Sequence, residues 1–170
     1  MKILILSNYA NGLFLFRKEV ISSFIQKGAE VLISVPFDEN CTKLENLGAR
    51  IVSCNLERRG MNPVKDLKLL KQYQALLKTE VPDLILTYTI KPNLYGGIAA
   101  RGCRIPYAMN ITGLGTALEN PGFLGKILLL LYRYVAAKAL RVFFQNEGNL
   151  QFMQKHKIAL QNAHLLPGSG

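Results

Sequence analysis

Acidic side chains are nearly missing from the second half of this chain. Residues 91–170 hold 9 Lys and Arg against only Glu119 and Glu147, a net of +7, while residues 1–90 hold 12 bases and 9 acids, a net of +3. So few carboxylates leave no acid pair at a spacing usable for general acid–base work. The basic excess points instead to an anionic partner: a phosphate-bearing ligand, nucleic acid or an acidic membrane surface. Cysteine is equally sparse. Cys41, Cys54 and Cys103 are odd in number, far apart and without a CxxC, which excludes a disulfide framework and a thiolate metal site. Buried free thiols in a reducing compartment account for them. The two histidines, His156 and His164, have no Ser, Cys or Asp arrangement beside them that would make a triad. No H-E-x-x-H or D-x-D stands anywhere, so no metal site is expected.

Long apolar runs are also lacking at the start. "MKILILS" is interrupted at once by "SNYAN", too early for the core of an export signal, and it reads as a first buried strand. Without export, the sequons at Asn40 and Asn110 have nothing to glycosylate them. The glycine fingerprints of nucleotide loops fail as well. Only Gly12 follows the first strand, where a dinucleotide fold places GxGxxG. Gly113 and Gly115 are followed by Leu118 where a third glycine belongs, and "GFLGKI" (122–127) has GxxGK rather than a phosphate loop's GxxxxGK[ST].

What is present is a globular composition, 49% apolar and 19% charged over 170 residues, enough for one well-buried domain. Short β-rich runs fall at 2–7, 30–35, 50–55, 83–88, 106–111, 141–145 and 163–167. Most are continuously apolar, as strands covered on both faces of a parallel sheet must be. Helical stretches fill the gaps. Gly28, Gly48 and Gly102 are placed to end helices, while Asn62–Pro63 and Asn120–Pro121 are placed to open them. The alternation predicts an α/β, doubly wound Rossmann-like parallel sheet of about seven strands. No linker or repeat divides residues 1–170, so a single domain is expected. The closing "HLLPGSG" reads as a seventh strand running into a linker, as though the chain were part of something longer.

In such sheets a ligand sits beyond the carboxyl ends of the strands. There the sequence offers Asn8, Asn11 and Gly12 with Arg17 behind them, at a helix start able to receive a phosphate; Asn11 can equally be a helix cap. After the fourth strand come Thr89, Lys91 and Asn93, a lysine to neutralise an anion and a hydroxyl to hydrogen-bond one. After the fifth come Gly113 and Gly115, which let a ligand approach the backbone or simply make a tight turn. Glu147, after the sixth, stands where a helix dipole favours a carboxylate. Separately, 125–141 reads as one helix with Lys126, Arg133, Lys138 and Arg141 on one side and Leu128, Tyr132, Val135 and Ala139 opposite. It is either a solvated basic stripe or a helix lying on anionic lipid; four charges bar it from spanning a bilayer. No aromatic platform or known module supports nucleic-acid binding.

"SNYANGLFLFRKEVISSFIQKGAEVLISVP", "TYTIKPNLYGGIAAR", "NITGLGTALEN" and "FFQNEGNLQFM" together resemble the N-terminal domain of bacterial family 4 glycosyltransferases, those building capsule, exopolysaccharide or lipid-linked oligosaccharide. The resemblance implies the N-terminal, acceptor-side half of a two-lobed GT-B enzyme, with a C-terminal donor-binding domain absent from this chain. It implies sugar transfer with retention from a nucleotide-sugar to a saccharide or polyprenyl-diphosphate-linked acceptor, with no cofactor or metal, the catalytic glutamates lying in the other lobe. By position it sets the Gly12 loop and Arg17 toward the donor phosphates, Thr89, Lys91 and Asn93 toward the acceptor, and Gly113 and Gly115 along the cleft floor. It also implies a cytoplasmic place, peripheral on the inner face of the cytoplasmic membrane. Two other readings of the residues remain open: a different Rossmann-type nucleotide-sugar enzyme of the epimerase kind, and a noncatalytic membrane-surface module.

Overall fold

The computed structural model describes residues 1–56, 62–115, 118, 122–159 and 161–166. Its seven strands are β1 (Lys2–Leu6), β2 (Glu30–Val35), β3 (Arg50–Ser53), β4 (Leu84–Tyr88), β5 (Tyr107–Ile111), β6 (Arg141–Phe144) and β7 (Ala163–Leu165). They form one sheet in the order β3-β2-β1-β4-β5-β6-β7, and every neighbouring pair is parallel. The apolar runs explain this. Successive side chains alternate faces, so Leu4 and Leu6 of β1 enter one core while Ile3 and Ile5 enter the other. Both faces must therefore be covered.

Helices supply the cover. α1 (Ala10–Gln26) and α2 (Cys41–Glu45) lie on one face, where Leu13, Ile21 and Leu44 pack against Ile3, Ile5 and Ile33. α3 (Pro63–Glu80), α4 (Gly97–Cys103), α5 (Phe123–Ala136) and α6 (Glu147–Lys155) lie on the other. A single π-helical turn, Pro92–Gly96, leads into α4. The first helix of this second group is capped as its sequence requires: Asn62 Oδ1 accepts from the N–H groups of Val64 (3.1 Å) and Lys65 (3.2 Å), and Pro63 takes the first helical position. Gly28 (φ 80°) and Gly48 (φ 99°) adopt the left-handed conformation expected of them.

Two expectations change and a third is untested. α4 does not stop at Gly102 but runs through it to a left-handed Arg104 (φ 57°), because the turn into β5 comes two residues later. The Asn120–Pro121 opening lies outside the described residues. And α5 ends at Ala136, so the basic helix is shorter than 125–141. Lys138 falls in the turn beyond it and Arg141 opens β6, which breaks the helical spacing that put four bases on one side. Lys126 and Arg133 stay on the helix; Leu128, Tyr132 and Val135 form its buried face as predicted. Among the described residues no helix is long and apolar enough to cross a membrane.

Candidate functional site

β1 and β4 are neighbours, yet the chain leaves β1 toward β2 on one side and β4 toward β5 on the other. The loops after them part, and a crevice opens at the carboxyl rim, as it does wherever a doubly wound sheet reverses direction. It encloses about 440 Å³, bounded by Ser7 and Asn8 after β1, by Gly12, Phe16 and Arg17 of α1, and by Tyr88, Thr89, Thr112 and Gln145 after β4, β5 and β6. A second hollow of about 630 Å³ lies beyond β2 and β3, lined by Phe37, Asn55, Lys65 and Lys68 among others. It is larger, but among the described residues no orphaned buried polar atom faces it. The smaller crevice, at the switch point, is therefore the candidate site.

α1 enters that crevice with its amino end. Its N-cap, Tyr9, is extended and offers no side-chain cap, and no acid stands in the first turn, so the positive end of the dipole is left unneutralised. Asn11 is not the cap. Its Nδ2 donates to Tyr9 Oη at 3.0 Å and holds the phenol ring across the first turn. Gly12 makes room for that ring, since a Cβ there would stand 2.8 Å from Tyr9 Cδ1. One turn on, the Arg17 guanidinium lies 5.6 Å from the centre of the Tyr88 ring and donates to the Phe16 carbonyl at 2.6 Å. Burial pushes the Tyr88 phenol above its usual range, and the Arg17 charge opposes the shift. A cation and a helix amino terminus thus face one space, an arrangement suited to a phosphate.

Thr89 forms the opposite wall. Its backbone sits at φ 71°, a left-handed conformation that a β-branched residue resists, and its Oγ1 is buried without a hydrogen-bond partner. Of the hydroxyls so orphaned among the described residues, it is the one lining the crevice. An unpaired buried hydroxyl on a strained residue at a crevice is open to a hydrogen bond from whatever enters it.

The neighbours predicted to join Thr89 do not. Lys91 turns away and places Nζ 2.8 Å from Asp66 Oδ1 on α3, with both side chains nearly shut off from water. Asn93, only 1% exposed, is structural: Oδ1 accepts from Thr87 Oγ1 (2.6 Å) and Nδ2 donates to the Asn110 carbonyl (3.0 Å). Asn110 in turn donates to the Thr87 carbonyl at 3.3 Å, which stitches β4, β5 and the π-turn together. These two side chains hold the turn that holds Thr89. Gly115 (φ 71°) meets the residue after Thr89, since a Cβ there would lie 2.8 Å from Ile90 Cδ1. Gly113 has open space around it, and neither glycine borders the crevice; Thr112 does. Glu147 occupies the first turn of α6 beside the capping Asn146, whose Oδ1 accepts from the Asn149 N–H at 2.8 Å.

The structure therefore brings together Asn8, Gly12, Arg17 and Thr89, keeps Asn11 one contact behind them through Tyr9, and sets Lys91, Asn93, Gly113, Gly115 and Glu147 apart. Ser7, Tyr88, Thr112 and Gln145 were not singled out from sequence. Each stands at the end of a strand or directly after it, so strand position was the available signal.

The sequence model of the family described as "Glycosyl transferase 4-like" matches residues 2–146. The chain is 30% identical over 159 residues to N,N'-diacetylbacillosaminyl-diphospho-undecaprenol alpha-1,3-N-acetylgalactosaminyltransferase of Campylobacter jejuni, covering 91% of this chain and 42% of that protein. Among solved structures, Alr3699/HepE of Anabaena in complex with UDP and glucose superposes with a TM-score of 0.71 at 15% identity, over 99% of this chain and 44% of that one. UDP-GlcNAc 2-epimerase of Neisseria meningitidis bound to UDP-GlcNAc gives 0.71 at 15% identity, over 99% and 47%. At such identities the two structures speak for the shared fold alone. The chain spans less than half the length of each relative.

Proposed function

The chain belongs to the glycosyl transferase 4-like family, and on that footing we propose that it is the acceptor-side lobe of a retaining glycosyltransferase. In this reading a second Rossmann-like lobe, carrying paired glutamates, binds the nucleotide-sugar and closes over the crevice. The sugar's anomeric bond to the diphosphate breaks, a hydroxyl of the acceptor bonds to the same face of the anomeric carbon, and the hydroxyl's proton passes to the departing nucleoside diphosphate. The acceptor is a saccharide carried on a polyprenyl diphosphate, a reading supported by the lipid-linked acceptor in the name of the Campylobacter jejuni relative. The setting is surface polysaccharide synthesis at the cytoplasmic face of the membrane.

One observation carries the proposal. An uncapped helix amino terminus and Arg17 face the orphaned Thr89 Oγ1 across one crevice at the switch point. The first pair suits the diphosphate as its charge grows on departure; the hydroxyl suits a sugar or acceptor hydroxyl. The full-length protein, incubated with UDP-sugars and polyprenyl-diphosphate-linked saccharides, should lengthen the acceptor by one sugar and release UDP. A nucleotide-sugar returned epimerised, with no acceptor extended, would overturn this reading in favour of an epimerase.

A further inference from the structure

β2 and β3 are neighbours whose helices lie on opposite faces of the sheet: α2, after β2, packs on the α1 side, and α3, after β3, on the other. Their loops therefore part at the carboxyl rim, as those after β1 and β4 do, and leave the larger hollow of about 630 Å³. Its floor is apolar, formed by the buried Cys54 and Leu56. Among the described residues no carboxylate borders it.

Three kinds of group meet over that floor. Phe37, directly after the end of β2, is 69% exposed. Lys65, Lys68 and Gln72 follow at i, i+3 and i+7 and so share one stripe of α3, while Asp66, Leu69 and Tyr73 of the same helix are buried. Gln72 is held in place: its Oε1 accepts from the Asn55 N–H at 3.2 Å, which leaves Nε2 as an oriented donor. A single exposed phenyl or surface lysine is ordinary. An aromatic face, planar amides and a pair of ammonium groups around one hollow are what a pyranose ring with an acid substituent requires. Its C–H face lies on the aromatic ring, its hydroxyls pair with the amides, and its charge meets the lysines.

We propose that this hollow binds an acid-bearing saccharide unit of the acceptor, next to the unit that receives the sugar. Phe37 stacks on the ring, Gln72 and Asn55 hydrogen-bond its hydroxyls, and Lys65 and Lys68 meet a carboxylate or phosphate. The site deepens the transferase reading and rests on it for the origin of its ligand. Position favours the acceptor. The hollow and the crevice open on the same rim, and at about 4.8 Å between neighbouring strands the ends of β1 and β3 lie about 10 Å apart. A short chain of sugars can therefore occupy both. Lysine meets either acid as a point charge, so both enter the test.

The test is titration calorimetry of the full-length protein, without donor, against methyl glucoside, methyl glucuronide and glucose 6-phosphate. At least one acid is expected to bind about five-fold more tightly than the neutral glucoside, by a margin that shrinks as salt rises. Which acid gains identifies the substituent. Phe37→Ala should weaken all three probes about ten-fold, and Phe37→Trp should keep them. Lys65→Gln with Lys68→Gln should abolish the preference for acid and leave glucoside binding as it was. Lys71→Gln with Lys78→Gln takes the same charge from exposed positions of α3 outside the hollow and should change nothing. Thr89→Val, in the crevice, should also leave these constants unchanged. Equal binding of the three probes, binding of none, or a preference that survives loss of Lys65 and Lys68 would overturn the proposal. So would a Phe37→Ala protein that binds as the parent does. Probe binding that obeys these rules without any sugar transfer would retire the transferase reading and leave the hollow standing as a saccharide site. Sugar transfer by a protein whose hollow takes no probe would do the reverse.

Discussion

Lys91 Nζ and Asp66 Oδ1 meet at 2.8 Å where neither side chain sees much water. The pair joins the first turn of α3 to the segment just after Thr89, and it removes from the crevice the one cation that the loop after β4 carries. Two buried opposite charges gain little over apolar neighbours, but a single one left behind is costly. Asp66→Ala should therefore destabilise the protein by about 3–5 kcal/mol. The double change Asp66→Leu with Lys91→Met should recover most of that loss. Urea denaturation of the single and double variants checks both statements.

Thr89 is expected to trade stability against function. Valine keeps the branched shape and its backbone strain but removes the orphaned hydroxyl. Thr89→Val should raise unfolding free energy by about 1 kcal/mol while lowering kcat/KM about ten-fold, the loss expected for one hydrogen bond to substrate. Equal kcat/KM in the variant would show that the hydroxyl binds nothing.

At the opposite rim, Glu80 accepts from Arg50 Nη2 at 2.6 Å and lies 3.3 Å from Lys2 Nζ. The Arg50 hydrogen bond, with Lys2 behind it, holds the Glu80 carboxyl below its usual range. A folded value below the unfolded one means the stabilisation is complete above the unfolded value and drains away as pH falls toward and through the folded one. Glu80→Gln should flatten the acid limb of a stability–pH curve below about pH 4.5. Thermal melts between neutral pH and pH 3 would register it.

Val81 closes α3 in a left-handed conformation, φ 45°, with its side chain 68% exposed. A β-branched residue pays for that geometry without burying anything in return. Val81→Gly should stabilise the protein by about 1 kcal/mol, seen as a higher denaturation midpoint at unchanged slope.

The sheet was legible because its strands are apolar on both faces; all seven were placed within two residues of their bounds. Element ends were harder. Arg104 and Val81 close helices in conformations that composition would assign to glycine, so Gly102 drew a boundary that belongs to Arg104. The end of α5 was hidden because its apolar spacing continues through Ala139, which is buried although it lies beyond the helix. In the candidate crevice, Asn8 and Thr89 were marked by strand ends, and Gly12 and Arg17 by the opening turns of the helix that follows β1. Lys91 and Asn93 could not be separated from them, since only tertiary partners far along the chain, Asp66 and Asn110, decide which way those side chains turn.

Gly115 and Ile90 belong to the loops after different strands, yet a Cβ on Gly115 would stand only 2.8 Å from Ile90 Cδ1. A larger residue at Gly115 would have to turn the tip of the Ile90 side chain aside. The loop that carries Thr112 and the segment just after Thr89 thus touch behind the crevice through one side-chain end.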